Sequence, residues 1–306
     1  MILSGKGGVG KSVVGSAIAS AAAERGRKTL YVEIDTPVDA ARCLGGGAIG
    51  SHEAEIAPNL FAVNLDPMEV MDEYVRHVVK IDLLARRILE SPVYRRFFVT
   101  APGLKELMVL GKIMTLEGAR DGWSKRPRYD LLVVDAPATG HGLAYLRVPV
   151  AAEAAAPLGP IGANSRRILE LLRDRERTAL VIVAIPEEMA VVEAAWLNRL
   201  AADEVGIAPR LLVLNAVHER RLDPAQEAEV LRLSAKRSAG RLPSGASLEE
   251  ALEAARRQIR RRKLSRFYET RLRRSSSLSM VTLPYLHDDP IGPAALRELA
   301  ARLGSG

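Results

Sequence analysis

A doubly wound, mostly parallel α/β sheet is the architecture this 306-residue sequence predicts, and three observations carry it. The first 35 residues read as strand, glycine-rich loop, helix, strand. Five later apolar runs are continuous rather than alternating, as in strands covered on both faces. Helix-patterned stretches separate those runs, the order that produces parallel pairing.

Met1 to Ser4 is a short apolar lead-in. Residues 5–12, Gly-Lys-Gly-Gly-Val-Gly-Lys-Ser, then fit G-x-x-x-x-G-K-[ST], the phosphate-loop pattern. Gly5, Gly7, Gly8 and Gly10 free the backbone so that N–H groups, that of Val9 included, turn inward around a β-phosphate. Lys11 is placed to reach the β- and γ-phosphates, and the Ser12 hydroxyl to meet Mg²⁺. Val13 opens the segment to Glu24, small, apolar and helix-prone, which Gly26 stops. Lys28 to Ile34 is a β-branched and aromatic strand ending at Asp35. The loop therefore sits at a strand's carboxyl end in a βαβ unit, with residues 5–13 as an ATP or GTP site. Lys6 occupies a position that the general pattern leaves free, and so points to a subclass of such loops.

The further strands are expected at Leu60–Leu65, Leu131–Val134, Leu180–Ile185, Leu211–Leu214 and Met280–Leu283, with helices at Ala190–Ala202 and Pro224–Leu233. The interval Pro67–Arg128 is too long for a simple crossover and carries two helical patterns, Met68–Ser91 and Gly103–Gly118. We read it as a helical subdomain (67–128) inserted in a single domain spanning 1–306. Ser247–Arg274 is helical and strongly basic, with ten Lys or Arg between Arg256 and Arg274 against Glu269 alone.

Two carboxylates end strands where a phosphate loop needs them. Asp135 closes LLVVD, the place for a group that holds Mg²⁺ through water. Asp35 is placed to orient or deprotonate an attacking water and to share in the metal site. The turn-rich residues 136–142 could sense a γ-phosphate. His141 in that loop either hydrogen-bonds within it or caps the next helix.

Composition sets limits. No run of about 18 apolar residues exists, so no membrane-spanning helix is expected. The chain opens directly into the loop, so no signal peptide is expected either. Cys43 is the single cysteine, which excludes an internal disulfide and fits a reducing cytoplasm. A net charge of +7 favours acidic partners without specifying nucleic acid.

Lys-Gly-Gly-Val-Gly-Lys-Ser at 6–12, a deviant Walker A loop, together with Asp-Ala-Pro-Ala-Thr-Gly-His at 135–141, resembles the anion-transporting (arsenite pump) and tail-anchored-protein-targeting ATPases. The likeness continues through Leu214-Asn215, similar to the family's adenine-reading asparagine. It extends to Leu283-Pro284-Tyr285-Leu286 with Ile291-Gly292, similar to its loop over the nucleotide. The resemblance implies a P-loop ATPase that uses ATP and Mg²⁺, binds nucleotide partly through Asn215, Pro284 and Tyr285, and dimerises face to face. Lys6 would then contact the partner subunit's nucleotide, Asp35 would polarise the water, and 136–142 would be the second switch. The first switch departs from the family's Asp-Pro-Ala-His, reading Asp35-Thr36-Pro37-Val38, which leaves the hydrolysis rate open. Neither the dimer-stapling Cys-x-x-Cys pair nor the thiolate cluster that arsenite needs can come from Cys43 alone.

Such an ATPase would open and close a partner site on an apolar client helix or a membrane protein, as a homodimer or with a paralogue. Met68, Met71, Met108 and Met114, beside Phe97, Phe98, Leu104 and Leu107, would either line a client groove or form the insert's own core. The basic helix would be a solvated face, or a site for anionic lipid or nucleic acid. The second function class is a positioning switch on DNA or membrane, against which the His141 motif and the long insert argue. The third is a weakly catalytic subunit paired with a paralogue.

Overall fold

The computed structural model describes residues 1–35, 43–44, 49–122, 125–137, 142–238, 246–287 and 291–304. Eight strands form one sheet: β1 (Ile2–Ser4), β2 (Thr29–Ile34), β3 (Ala54–Ala57), β4 (Leu60–Leu65), β5 (Leu131–Asp135), β6 (Leu180–Ala184), β7 (Pro209–Val217) and β8 (Met280–Pro284). Their spatial order is β3-β4-β2-β5-β1-β6-β7-β8, parallel throughout except for β3, which runs antiparallel to β4 at the edge. Among the described residues are eleven α-helices: α1 (Lys11–Glu24), α2 (Pro67–Val78), α3 (Asp82–Glu90), α4 (Pro92–Thr100), α5 (Leu104–Gly118), α6 (Gly142–Ala155), α7 (Pro160–Arg173), α8 (Glu188–Leu200), α9 (Pro224–Ser238), α10 (Ala246–Ser275) and α11 (Pro293–Gly304).

Alternate strand residues bury into opposite layers, as the side-chain period of two requires. Leu180, Ile182 and Ala184 face the layer holding Leu110, Ile168 and Leu197, whereas Val181 and Val183 face α1 and α11. Alanines of α1 (Ala17, Ala19, Ala22, Ala23) are buried there, and their small size brings that helix close to the sheet.

The expected strands are present, with β5, β7 and β8 extending beyond their forecast ends and β6 stopping one residue short. β7 grows most, starting at Pro209 and ending at Val217, and its pairings with β6 and β8 each carry a register irregularity that apolar patterning does not encode. β3 was not foreseen: none of its four residues is fully buried, two are exposed, and Glu55 interrupts its apolar residues. The insert also differs from expectation. Val79 and Ile81 adopt extended backbone and split the first pattern into α2 and α3, and Pro92 opens a further helix, α4. Asp66 caps α2 by accepting from the Glu69 N–H at 2.9 Å. Met108, Phe98 and Leu107 are buried, and Met68, Met71, Met114 and Leu104 pack against the same core. The methionine cluster is thus internal packing, and Phe97 alone of that set projects outward.

Candidate nucleotide site

β1 lies mid-sheet, flanked by β5 and β6, so the loop after Ser4 opens at the carboxyl edge where the strand path divides. Three glycines shape the loop. Gly5 has φ 152, and a Cβ there would lie 2.2 Å from the Val183 carbonyl oxygen. Gly8 and Gly10 sit in left-handed backbone at φ 80 and 84. The Asn215 amide Nδ2 on β7 donates to the Val9 carbonyl at 3.0 Å, and a Cβ on Gly10 would fall 2.4 Å from that same nitrogen. The predicted base-reading asparagine therefore also braces the phosphate loop.

Lys11, the first residue of α1, is buried and donates to the carbonyls of Gly5 (3.2 Å) and Lys6 (3.3 Å). Burial lowers its pKa from the ordinary lysine value, and the nearby Asp135 charge opposes that shift. An ammonium held inside the loop on neutral carbonyls is poised to exchange them for phosphate oxygens. The Lys6 side chain is half-buried and makes no ion pair among the described residues.

Ser12 donates its hydroxyl to Asp135 Oδ2 at 2.5 Å, joining the loop to the end of β5. Tyr31 of β2, fully buried, donates to the same oxygen at 3.1 Å. Asp135 Oδ1 is buried and without a hydrogen-bond partner among the described residues. Burial raises the Asp135 pKa, and the Ser12 hydrogen bond, the Lys11 charge and the Tyr31 hydrogen bond each pull it back. One orphaned carboxylate oxygen beside a serine hydroxyl is a hard-oxygen donor set that fits a hydrated Mg²⁺ ion.

Asp35 follows β2 at φ 47, left-handed backbone that a non-glycine residue enters only under strain, and its side chain is exposed. Its N–H donates to the Leu65 carbonyl at 3.1 Å, which fixes the turn. The rest of the first switch (36–38) and residues 138–141 of the second, His141 included, lie outside the described residues.

Beside the loop a cavity of about 710 Å³ is lined by Gly10, Val13, Asn215, Arg261, Pro284 and Tyr285, among others. Tyr285 is set by its N–H on the Val217 carbonyl (3.0 Å) and by stacking on His218, ring centres 4.6 Å apart and 22° from parallel. Loop, Ser12, Asp135, Asn215, Pro284 and Tyr285 thus converge on one edge. A second cavity, about 630 Å³, opens at the opposite edge between Arg27, Glu117 and Thr178 and contains no phosphate-loop residue.

Sequence reasoning missed Tyr31, His218 and Arg261. Tyr31 left one trace: Gly15 on α1, where a Cβ would stand 3.1 Å from the tyrosine ring.

Residues 1–157 match the family model described as anion-transporting ATPase. The chain is 30% identical over 261 residues to ATPase BagA of Mycobacterium tuberculosis, covering 82% of this chain and 75% of that protein. An arsenical pump-driving ATPase of Acidiphilium multivorum is 28% identical over 233 residues, 71% of this chain and 39% of its own. ATPase GET3B of Arabidopsis thaliana is 26% identical over 265 residues, 69% of this chain and 62% of its own. On these matches, and with the phosphate-loop pattern standing at the carboxyl edge of the sheet, the chain belongs to the anion-transporting ATPase family and is an ATPase.

Proposed function

We propose that this ATPase works on Mg²⁺-ATP as a dimer closed around two nucleotides, and that closure acts on an apolar segment of a protein or membrane-associated partner. Ser12 and Asp135 would hold the ion, which when bound neutralises charge on the β- and γ-phosphate oxygens. Asp35 orients a water on the γ-phosphorus and takes its proton as the bond to the bridging oxygen breaks. Lys11 stabilises the charge that develops, and Lys6 does so from the partner subunit. The cytoplasm is the proposed compartment; no described helix is long and apolar enough to cross a membrane.

The observation that carries the partner reading is the outer surface of the helices between β4 and β5, which we propose act as a client-handling subdomain. Ile81, Leu83, Leu84, Val93, Phe97 and Val99 are all exposed there, with Val93 at 75%. Single exposed apolar residues are ordinary, but six within 81–99 concentrate apolar area that a partner could remove from water at a gain. A photo-crosslinker at position 97, in the Asp35→Asn protein with ATP, should label an added apolar helix. It should do so in the fraction that light scattering reports as dimeric. Labelling that ignores nucleotide, or a protein monomeric throughout, would refute this reading.

A further inference from the structure

We propose that the outward stripe of α10 docks on an anionic lipid surface, whether or not the client reading holds. Along this 30-residue helix, Arg256, Arg260, Lys263, Phe267, Arg271 and Arg274 follow one another at steps of three or four, so they share one face. All six are exposed, while Leu252, Ile259, Ser265 and Leu272 are buried. The stripe is about 27 Å long at 1.5 Å per residue.

The cations have little to do within the chain. Arg271 reaches Glu188 on α8 at 3.7 Å. Arg256, Arg260, Lys263 and Arg274 make no ion pair among the described residues. Regularly spaced cations, four of the five without an ion pair among the described residues, complement a plane of negative charge.

The apolar members favour lipid over nucleic acid. Phe267, mid-stripe, is 59% exposed, and Leu264 beside it is 48% exposed. A bilayer interface lets such rings and branched chains leave water while arginines stay at headgroup level. The phosphate backbone of a duplex offers them no apolar surface. Arg261, Leu264 and Ser265 line the nucleotide cavity and are left unchanged in the test.

The experiment is flotation of the full chain with vesicles of phosphatidylcholine alone or mixed with phosphatidylserine. Binding is expected only to the mixed vesicles, weakening as salt rises. The combined Arg256→Gln, Arg260→Gln, Lys263→Gln, Arg274→Gln variant should lose more than tenfold in vesicle affinity. Phe267→Ser should lose several-fold. Both should hydrolyse ATP at the parent rate without vesicles and unfold at the parent temperature, which separates lost docking from lost fold. Equal binding to neutral vesicles, or full binding by the four-site variant, overturns the proposal. So does vesicle binding that a short DNA duplex abolishes and Phe267→Ser leaves unchanged, which would assign the stripe to nucleic acid.

Discussion

Tyr31 and Ser12 donate to the same oxygen of Asp135, at 3.1 and 2.5 Å, leaving the other carboxylate oxygen buried and without a hydrogen-bond partner among the described residues. Two donors thus fix the carboxylate's orientation from β2 and from α1. Tyr31→Phe removes one donor while keeping the ring against Gly15, and should cost about 1–3 kcal/mol of stability. The Mg²⁺ concentration that half-saturates hydrolysis should rise several-fold. A metal titration of turnover beside thermal unfolding checks both, and an unchanged metal requirement would remove Tyr31 from the site.

Gly10 takes a left-handed φ of 84, and a Cβ there would push the Asn215 Nδ2, 2.4 Å away, off its hold on Val9. Gly10→Ala should weaken binding of a fluorescent ATP analogue at least tenfold, equivalent to about 1.4 kcal/mol. Asn215→Ala should weaken it as well, with the folded state intact by circular dichroism.

Asp35 holds strained backbone at φ 47, so its replacement separates strain from chemistry. Asp35→Gly should stabilise the fold by about 1 kcal/mol, because glycine enters that region without penalty. Hydrolysis should nevertheless collapse. Asp35→Asn should slow turnover while sparing ATP binding, and Lys11→Ala should abolish turnover. Full activity in either Asp35 variant would strike that carboxylate from the mechanism.

Burial holds the Asp135 carboxyl above its ordinary 3.8, so the native state binds its proton more tightly than the unfolded chain. The resulting destabilisation is absent below 3.8, grows as pH climbs through the folded-state value, and is complete above it. Asp135→Asn should therefore raise the melting temperature of the metal-free protein near neutral pH. The gain should shrink towards zero on acidification below 3.8, while Mg²⁺-dependent hydrolysis is lost at every pH. Melting curves across that range are the check.

Phe97 and Phe98 are neighbours with opposite surroundings, one 60% exposed and the other fully buried. Phe98→Ala should cost about 3–5 kcal/mol through the cavity it leaves. Phe97→Ser should change stability by less than about 0.5 kcal/mol. If the client reading is right, only Phe97→Ser should lower capture of an apolar helix in a protein that remains folded.

Much of this fold was legible because its strands are apolar on both sides. The runs at 60–65, 131–134 and 180–185 needed no partner to be recognised, and loop spacing at 5–12 placed the phosphate site beside them. β3 was not legible, since an edge strand with exposed residues need not be apolar. The fate of the methionines was hidden as well: their spacing suits a groove and a core equally, and only packing against Val109 and Ile113 decides. Tyr31 escaped because its role depends on β2 lying next to β5, a long-range pairing absent from local pattern.

The hydrogen bond from Asn215 to Val9 joins residues 206 positions apart in the chain. The phosphate loop is therefore no transplantable cassette. Exchanging the opening segment for that of another ATPase, however faithful its glycines and lysines, delivers a loop whose far-side support belongs to a different sequence. Gly10 and Asn215 have to travel together, and so two stretches far apart in the chain are bound to a shared evolutionary course.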